Sequence, residues 1–219
     1  MKGADGAPAP SRLSIRANGP YVVGGVRLRD ADGRTLETSD TFELCRCGRS
    51  STKPFCDETH EAIDFDGRET ADRGDFRDGR RAFEGAEITI LDVRRLCAHA
   101  AVCTDNLPRV FDVTRPRWID PDAAPPDDIA DVVGRCPSGA LAYAVGADPE
   151  PVQPHLEPGI RCSRGASYVV TGSVEVVGAD GRPYERRERV TLCRCGASRN
   201  KPFCDGSHDV ADLGDLGDG

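Results

Sequence analysis

At 219 residues the chain is long enough for one to three small domains. Its hydrophobic content of 38% and aromatic content of 5% argue against a large core, and its net charge of −8 argues against nucleic acid as a partner. No apolar stretch approaches the ~20 residues of a membrane span, so no membrane contact is expected.

In chain order, residues 1–10 are small, polar and proline-containing and read as disordered. Met1-Lys-Gly-Ala-Asp-Gly-Ala-Pro holds no apolar run, so no signal peptide is expected. Residues 12–46 read as strands. Leu13-Ser-Ile-Arg alternates, Tyr21-Val-Val and Val26-Arg-Leu-Arg follow, Asp32-Gly33 marks a turn, and Thr41-Phe-Glu-Leu runs into Cys45.

Cys45, Cys47, Cys56 and His60 then follow with the spacing C-x-C-x8-C-x3-H. The same spacing returns 148 positions later at Cys193, Cys195, Cys204 and His208, and eleven of the sixteen positions are identical. The flanks repeat too. Tyr168-Val-Val, the turn Asp180-Gly181 and Arg189-Val-Thr-Leu lead into Cys193. A whole β-hairpin unit has therefore been duplicated.

Ten cysteines in a chain of this size would fit a disulfide scaffold, but histidines at fixed offsets have no place in one. A Cys3His set is a known zinc site, although one residue between two cysteines is tight for two corners of a tetrahedron. Thiolates also hold iron–sulfur clusters, and histidine can replace cysteine on one iron. The expected compartment is reducing and cytoplasmic.

The second stretch spells Cys204-Asp-Gly-Ser-His208, and the first reads Cys56-Asp-Glu-Thr-His60. Both resemble the CDGSH iron–sulfur, mitoNEET-like family. The resemblance implies a 2Fe–2S cluster in each copy, held by Cys45, Cys47, Cys56 and His60 and by Cys193, Cys195, Cys204 and His208. Thr59 keeps the hydroxyl of Ser207, whereas Glu58 in place of Gly206 matters only if that position needs positive φ. A helix is expected to begin after the third cysteine. Asp57 and Asp205 would be its N-caps, Glu58 its first residue, and the histidines would lie in its first turn. Single modules of this family pair as homodimers, so the fused copies are expected to pack on each other within a monomeric chain.

Residues 61–86 read as connector, and the Pro-rich stretch 148–158 as a stiff linker carrying a solvated His155. The tail from Asp209 reads as mobile. Between the linkers, Glu87-Ile-Thr-Ile-Leu reads as a strand and Arg94–Thr104 as a short helix or cluster-binding loop. Trp118-Ile reads as a strand, Pro126–Gly134 as a helix and Leu141–Val145 as a strand.

This unit holds Cys97, Cys103 and Cys136-Pro137, while Ala100 stands at the middle slot of a ferredoxin-type cysteine triple. It resembles the divergent 4Fe–4S mono-cluster ferredoxins. Three thiolates suit a 3Fe–4S cluster, and a 4Fe–4S cluster would need a fourth ligand, for which His99 is the near candidate. His99 is otherwise expected as a partly buried, hydrogen-bonded neighbour of the cluster. Cys162, with Ser14 at its place in the first copy, reads as a free thiol.

Arg46, Arg194, Lys53 and Lys201 recur in both copies. They read as a solvated rim or as a docking surface for an acidic redox partner. Pro54-Phe55 and Pro202-Phe203 are expected to shape and cover the loops. The expected class is α+β: CDGSH modules at 11–66 and 159–210 flank a ferredoxin-like α/β insert at 87–147. No nucleophile–base pair, phosphate loop or nucleotide fingerprint points to an enzyme. The expected role is electron transfer with redox partner proteins. The alternatives are cluster storage and transfer to apo iron–sulfur acceptors, redox or pH sensing through the histidines, and a structural zinc protein.

Overall fold

A computed structural model describes residues 11–146, 150–152, 154–162, 165 and 167–209. The expectations of disorder at 1–10 and mobility in the tail beyond Asp209 lie outside the described residues, as do parts of the Pro-rich linker.

The first copy contributes β1 (Arg12–Ile15), β2 (Tyr21–Gly24), β3 (Arg27–Arg29), β4 (Thr41–Leu44) and α1 (Thr59–Ala62). The insert contributes β5 (Arg81–Glu84), β6 (Ile88–Asp92), α2 (Val102–Asn106), α3 (Pro126–Gly134) and β7 (Leu141–Val145). The second copy contributes β8 (Gly159–Cys162), β9 (Tyr168–Thr171), β10 (Glu175–Val177) and β11 (Arg189–Leu192). The fold is mixed α+β, with short strands and few helices.

The two copies do not form separate sheets. The first sheet runs β10-β1-β2-β4 and the second β11-β9-β8-β3. β10 of the second copy pairs parallel with β1 through Arg12↔Glu175, Leu13↔Val176 and Ser14↔Val177. β3 of the first copy pairs parallel with β8 through Arg27↔Gly159, Leu28↔Ile160 and Arg29↔Arg161. Each copy thus completes the other's sheet. The exchanged strands are only three residues long, and a neighbour satisfies the backbone groups they would otherwise leave bare at an edge.

Alternation along these strands turns Leu13, Ile15, Tyr21, Val23 and Leu28 inward, as it does Ile160, Tyr168, Val170, Val176 and Leu192. Together they belong to one cluster of 18 buried residues drawn from both copies. The low apolar content therefore did not preclude a sizeable core, because two small hairpin units pool their apolar faces. Each fully buried aliphatic side chain contributes about 1.5–3 kcal/mol. Cys162 is fully buried in this shared core and packs there as an apolar side chain.

The insert forms an antiparallel sheet of order β5-β6-β7. On α3, Ile129, Val132 and Val133 fall at helical spacing and are buried, with Pro126 at the start and Asp127 and Asp128 in the first turn. One expectation is corrected here. Trp118-Ile forms no strand: Ile119 makes a single bridge to Phe111, and Trp118 sits between Phe111 and Phe83. Arg94–Thr104 holds, in keeping with the expected short helix or loop, a 3-10 turn at Arg94–Leu96, a loop and the start of α2.

Residues 61–86 are not a loose connector. They contain β5 and are bound to the second copy. The backbone amides of Thr70 and Ala71 both donate to the Lys201 carbonyl, and Glu69 accepts from Tyr184 Oη and the Ala179 amide. Tertiary partners supplied by distant sequence override the weak local pattern.

Candidate iron–sulfur centres

In the first copy β4 ends at Leu44 and delivers Cys45 into a loop that doubles back. The Cys45 amide donates to the Pro54 carbonyl at 2.8 Å and the Cys56 amide to the Glu43 carbonyl at 3.0 Å. Leu44 bridges Phe55. The third cysteine is thereby carried back beside the first. The second copy repeats the device. Cys193 donates to Pro202 at 2.8 Å, Cys204 to Thr191 at 2.9 Å, and Leu192 bridges Phe203.

The donor atoms fall into pairs. Cys45 Sγ and Cys47 Sγ are 3.7 Å apart, and Cys56 Sγ is 3.4 Å from His60 Nδ1. In the second copy Cys193 and Cys195 are 3.7 Å apart, and Cys204 Sγ is 3.5 Å from His208 Nδ1. Among the described residues, no three His, Cys, Asp or Glu side chains converge on a point that could hold a single metal ion. Two donor pairs suit two metals that each take two protein ligands, which is the demand of a 2Fe–2S centre.

The local electrostatics favour a thiolate at the first cysteine of each pair. Cys45 is lowered to about 6, chiefly because the Cys47 thiol donates to it, while Cys47 is pushed up in return. Cys193 and Cys195 behave likewise, with Cys193 at about 6. Backbone amides also reach the sulfurs, at 3.5 Å from Arg49 to Cys47 and 3.4 Å from Ala197 to Cys195. Burial raises Cys204 to about 12 and raises Cys56 less. Each histidine turns Nδ1 toward a thiol and Nε2 toward a carboxylate, with His60 4.0 Å from Glu61 and His208 3.2 Å from Asp209. Such an outer partner fixes the ring's orientation.

The start of the helical turn differs from expectation. Glu58 is not the first helical residue but the N-cap of α1, in the left-handed region at φ 66°. Asp57 lies one residue earlier. It accepts from the Thr59 amide and hydroxyl and reaches back to the Ser51 amide and hydroxyl, tying the two ends of the loop together. Asp205 does the same with Ser207 and Arg199, ahead of a single 3-10 turn at Ser207–Asp209. Gly206 has φ 80°, so the position does require positive φ, and the first copy tolerates it with a side chain.

Arg46 and Arg194 are not a solvated rim; both are 1% exposed. Arg46 donates to the carbonyls of Gly19, Gly67 and Arg16 at 2.7, 2.8 and 3.0 Å, and lies over the rings of Tyr21 and Phe65. Arg194 lies over the ring of Tyr168. These guanidiniums brace the loops from behind. Lys201 caps the Ser198 carbonyl at 2.7 Å. Phe203 is buried and stacks edge-on with Tyr184, while Phe55 is partly buried against Phe42.

Residues of one copy complete the loop of the other, which sequence reasoning missed. Tyr21 Oη donates to the Cys193 carbonyl at 2.8 Å and lies 3.1 Å from that of Pro202. Tyr168 Oη makes the mirror-related contacts with Cys45 and Pro54, at 2.9 and 3.1 Å. A Cβ on Gly48 would stand 2.7 Å from the Cys195 carbonyl oxygen, and one on Gly196 2.9 Å from that of Cys47. The two ligand loops therefore touch backbone to backbone. The recurrence of Tyr-Val-Val and Cys-Arg-Cys-Gly in both copies was the available signal, but sequence alone could not show that the contacts cross over.

In the insert, Cys97, Cys103 and Cys136 line one pocket together with His99. Cys97 follows the 3-10 turn, Cys103 sits in α2, and Cys136 follows α3. Between the first two, His99 and Ala101 adopt left-handed backbone, φ 54° and 55°, which wraps the loop around the pocket. Burial raises Cys97, and raises Cys103 to about 11. Three cysteines lining one largely apolar pocket can offer it thiolates.

His99 departs from expectation because it is exposed. It lies instead against the second copy: a Cβ on Gly206 would meet its Cβ at 2.9 Å and its Cδ2 at 3.2 Å. His155 is exposed.

Fold and sites together define an iron–sulfur-binding chain. The family model described as the iron-binding zinc finger of CDGSH type matches residues 18–61 and 165–209. The divergent 4Fe-4S mono-cluster model matches residues 83–146. The chain belongs to the CDGSH iron-binding family, with two copies flanking a divergent 4Fe-4S mono-cluster domain. It is also similar to the uncharacterized protein YjdI of Escherichia coli strain K12. They are 32% identical over 65 residues, 30% of this chain and 86% of that protein. YjdI of Escherichia coli O157:H7 gives the same figures. Among the described residues no helix is long and apolar enough to cross a membrane.

Proposed function

We propose that the chain carries a 2Fe–2S cluster at Cys45, Cys47, Cys56 and His60 and another at Cys193, Cys195, Cys204 and His208. A 3Fe–4S or 4Fe–4S cluster is held by Cys97, Cys103 and Cys136, and the protein serves as an electron carrier without substrate chemistry of its own. Such clusters supply one-electron exchange. The chain's residues supply the thiolates, bury them, donate amide hydrogens to sulfur and hold the imidazoles in place.

One observation carries this reading: the three sulfur-bearing loops touch in series. His99, two residues from Cys97, rests on Gly206, two residues from both Cys204 and His208. On the other side Cys195-Gly196 rests on Cys47-Gly48. A protein that used its metals only to hold small domains together would have no need of adjoining sites. The order along the series is insert, second copy, first copy.

The test is iron, zinc and acid-labile sulfide analysis of the full chain, with paramagnetic resonance of the dithionite-reduced protein. Iron and sulfide in cluster proportions are expected, with signals broadened by magnetic coupling between neighbouring centres. Stoichiometric zinc without labile sulfide would overturn the reading.

Cluster donation to apo acceptors is the second reading, favoured by an asymmetry between the copies. Cys56 is partly exposed, whereas its counterpart Cys204 is 2% exposed and covered on the side of the insert. If donation occurs, the first copy's cluster leaves first. Mixing with an apo-ferredoxin and following each site through Cys56→Ser and Cys204→Ser variants separates donor from carrier.

A further inference from the structure

The sulfur sites make no use of a cavity of about 290 Å³ at the seam between the insert and the second copy. Clefts between packed units are the usual places for small-molecule sites. Its floor is apolar, formed in part by Leu91 and Ala142, on the side of the insert's sheet that bears Leu91. Its rim is basic. Arg77 and Arg80 come from the segment before β5, Arg186 and Arg187 from the approach to β11, and Arg189 from the start of β11. Against these five arginines stand two glutamates, Glu150 and Glu188, a local balance of +3 in a chain of net charge −8.

Most of these charges are already engaged. Arg77 lies 3.8 Å from Glu150, and Arg186 is paired with Glu175 at 3.0 Å. Arg189 donates to the carbonyls of Val133 and Gly134 at the end of α3. Glu188 accepts from the Leu156 amide and the Ser173 hydroxyl. Arg80 and Arg187 differ. Each keeps one terminal guanidinium nitrogen buried with no acceptor in the protein. Burial lowers Arg187 to about 10, so it stays charged at neutral pH. Arg187 also lies over the Phe203 ring. A buried guanidinium nitrogen without an acceptor is costly, and a carboxylate or phosphate is the acceptor its planar fork fits best.

We propose that this cavity binds a small organic anion bearing phosphate or carboxylate groups, gripped by Arg80 and Arg187 with its apolar part on the floor beside Leu91. Gly139 and Ala140, in the cavity wall, follow Cys136 closely in the chain. A bound anion would add negative charge beside that sulfur and make the insert's centre harder to reduce. This consequence rests on the cluster assignment above; the binding itself does not.

The test is calorimetric titration of the full chain with inorganic phosphate and, separately, with citrate, in chloride buffer of matched ionic strength. One saturable site per chain is expected for at least one of them. Affinity should fall at least tenfold in Arg80→Gln and in Arg187→Gln, and stay unchanged in Arg117→Gln, which lies outside the cavity. The anion that binds more tightly assigns the ligand to the phosphate or the carboxylate class. Should Arg187→Gln fail to fold, Arg80→Gln decides alone. Absence of saturable binding by both anions, or binding equal in wild type and Arg80→Gln, would overturn the proposal. A shifted reduction potential without saturable binding would also count against it.

Discussion

Glu58 and Gly206 occupy the same place in the two ligand loops and meet different surroundings. Both have left-handed backbone, but only Gly206 has a ring seated on it, that of His99. Gly206→Glu is therefore expected to lift the insert off the second copy, whereas Glu58→Gly should change stability by less than about 1 kcal/mol, since relief of backbone strain is offset by unfolded-chain entropy. Proteolytic susceptibility of the insert and thermal unfolding report the two outcomes. Arg46 holds three carbonyls and a cation–π stack without solvent. Arg46→Ala should cost about 3 kcal/mol, because those acceptors lose their donor in a buried place. His208→Cys should retain the cluster while lowering its reduction potential, because a second thiolate adds negative charge at that metal. An unchanged potential in that variant would show that His208 is not a ligand.

At the scale of elements, the exchanged strands and the crossed tyrosines tie the copies together. Tyr21→Phe and Tyr168→Phe each remove a buried hydroxyl that serves the opposite loop, and each should cost about 1–2 kcal/mol in denaturant unfolding. A fragment covering residues 11–80 alone lacks the β10 partner of β1 and the β8 partner of β3. It is expected to pair with a second copy of itself or to stay unfolded, and light scattering with circular dichroism distinguishes these from a folded monomer. The hairpin units, the helix at 126–134 and the two CDGSH stretches were legible in sequence, because alternation, helical spacing and a repeated Cys/His pattern are local. The strand at Arg81–Glu84 was not legible, since its pairing with β6 and not its own pattern makes it a strand.

For the whole molecule, the reciprocal sheets satisfy within one chain the contacts that a pair of single modules would make between two. The full chain is therefore expected to be monomeric by light scattering. A stable dimer would mean that the exchange occurs between chains instead. The insert is held against the second copy at several points, including Asn200 on the Arg95 carbonyl, Arg189 on the end of α3 and His99 on Gly206. Cys97→Ser is expected to remove the insert's centre and its magnetic coupling while leaving the iron of the other two sites in place.

What the sequence determined by itself was chemistry and duplication. Residue types at fixed spacing name the sulfur and imidazole donors, and a register of 148 residues shows that one unit was used twice. Only the tertiary structure decided who neighbours whom. Whether Arg46 faces water or three carbonyls, whether β3 stays in its own sheet, and which copy His99 touches all depend on contacts between residues far apart in the chain. No local pattern encodes such contacts, because the apolar alternation that buries a strand is the same whichever partner covers it.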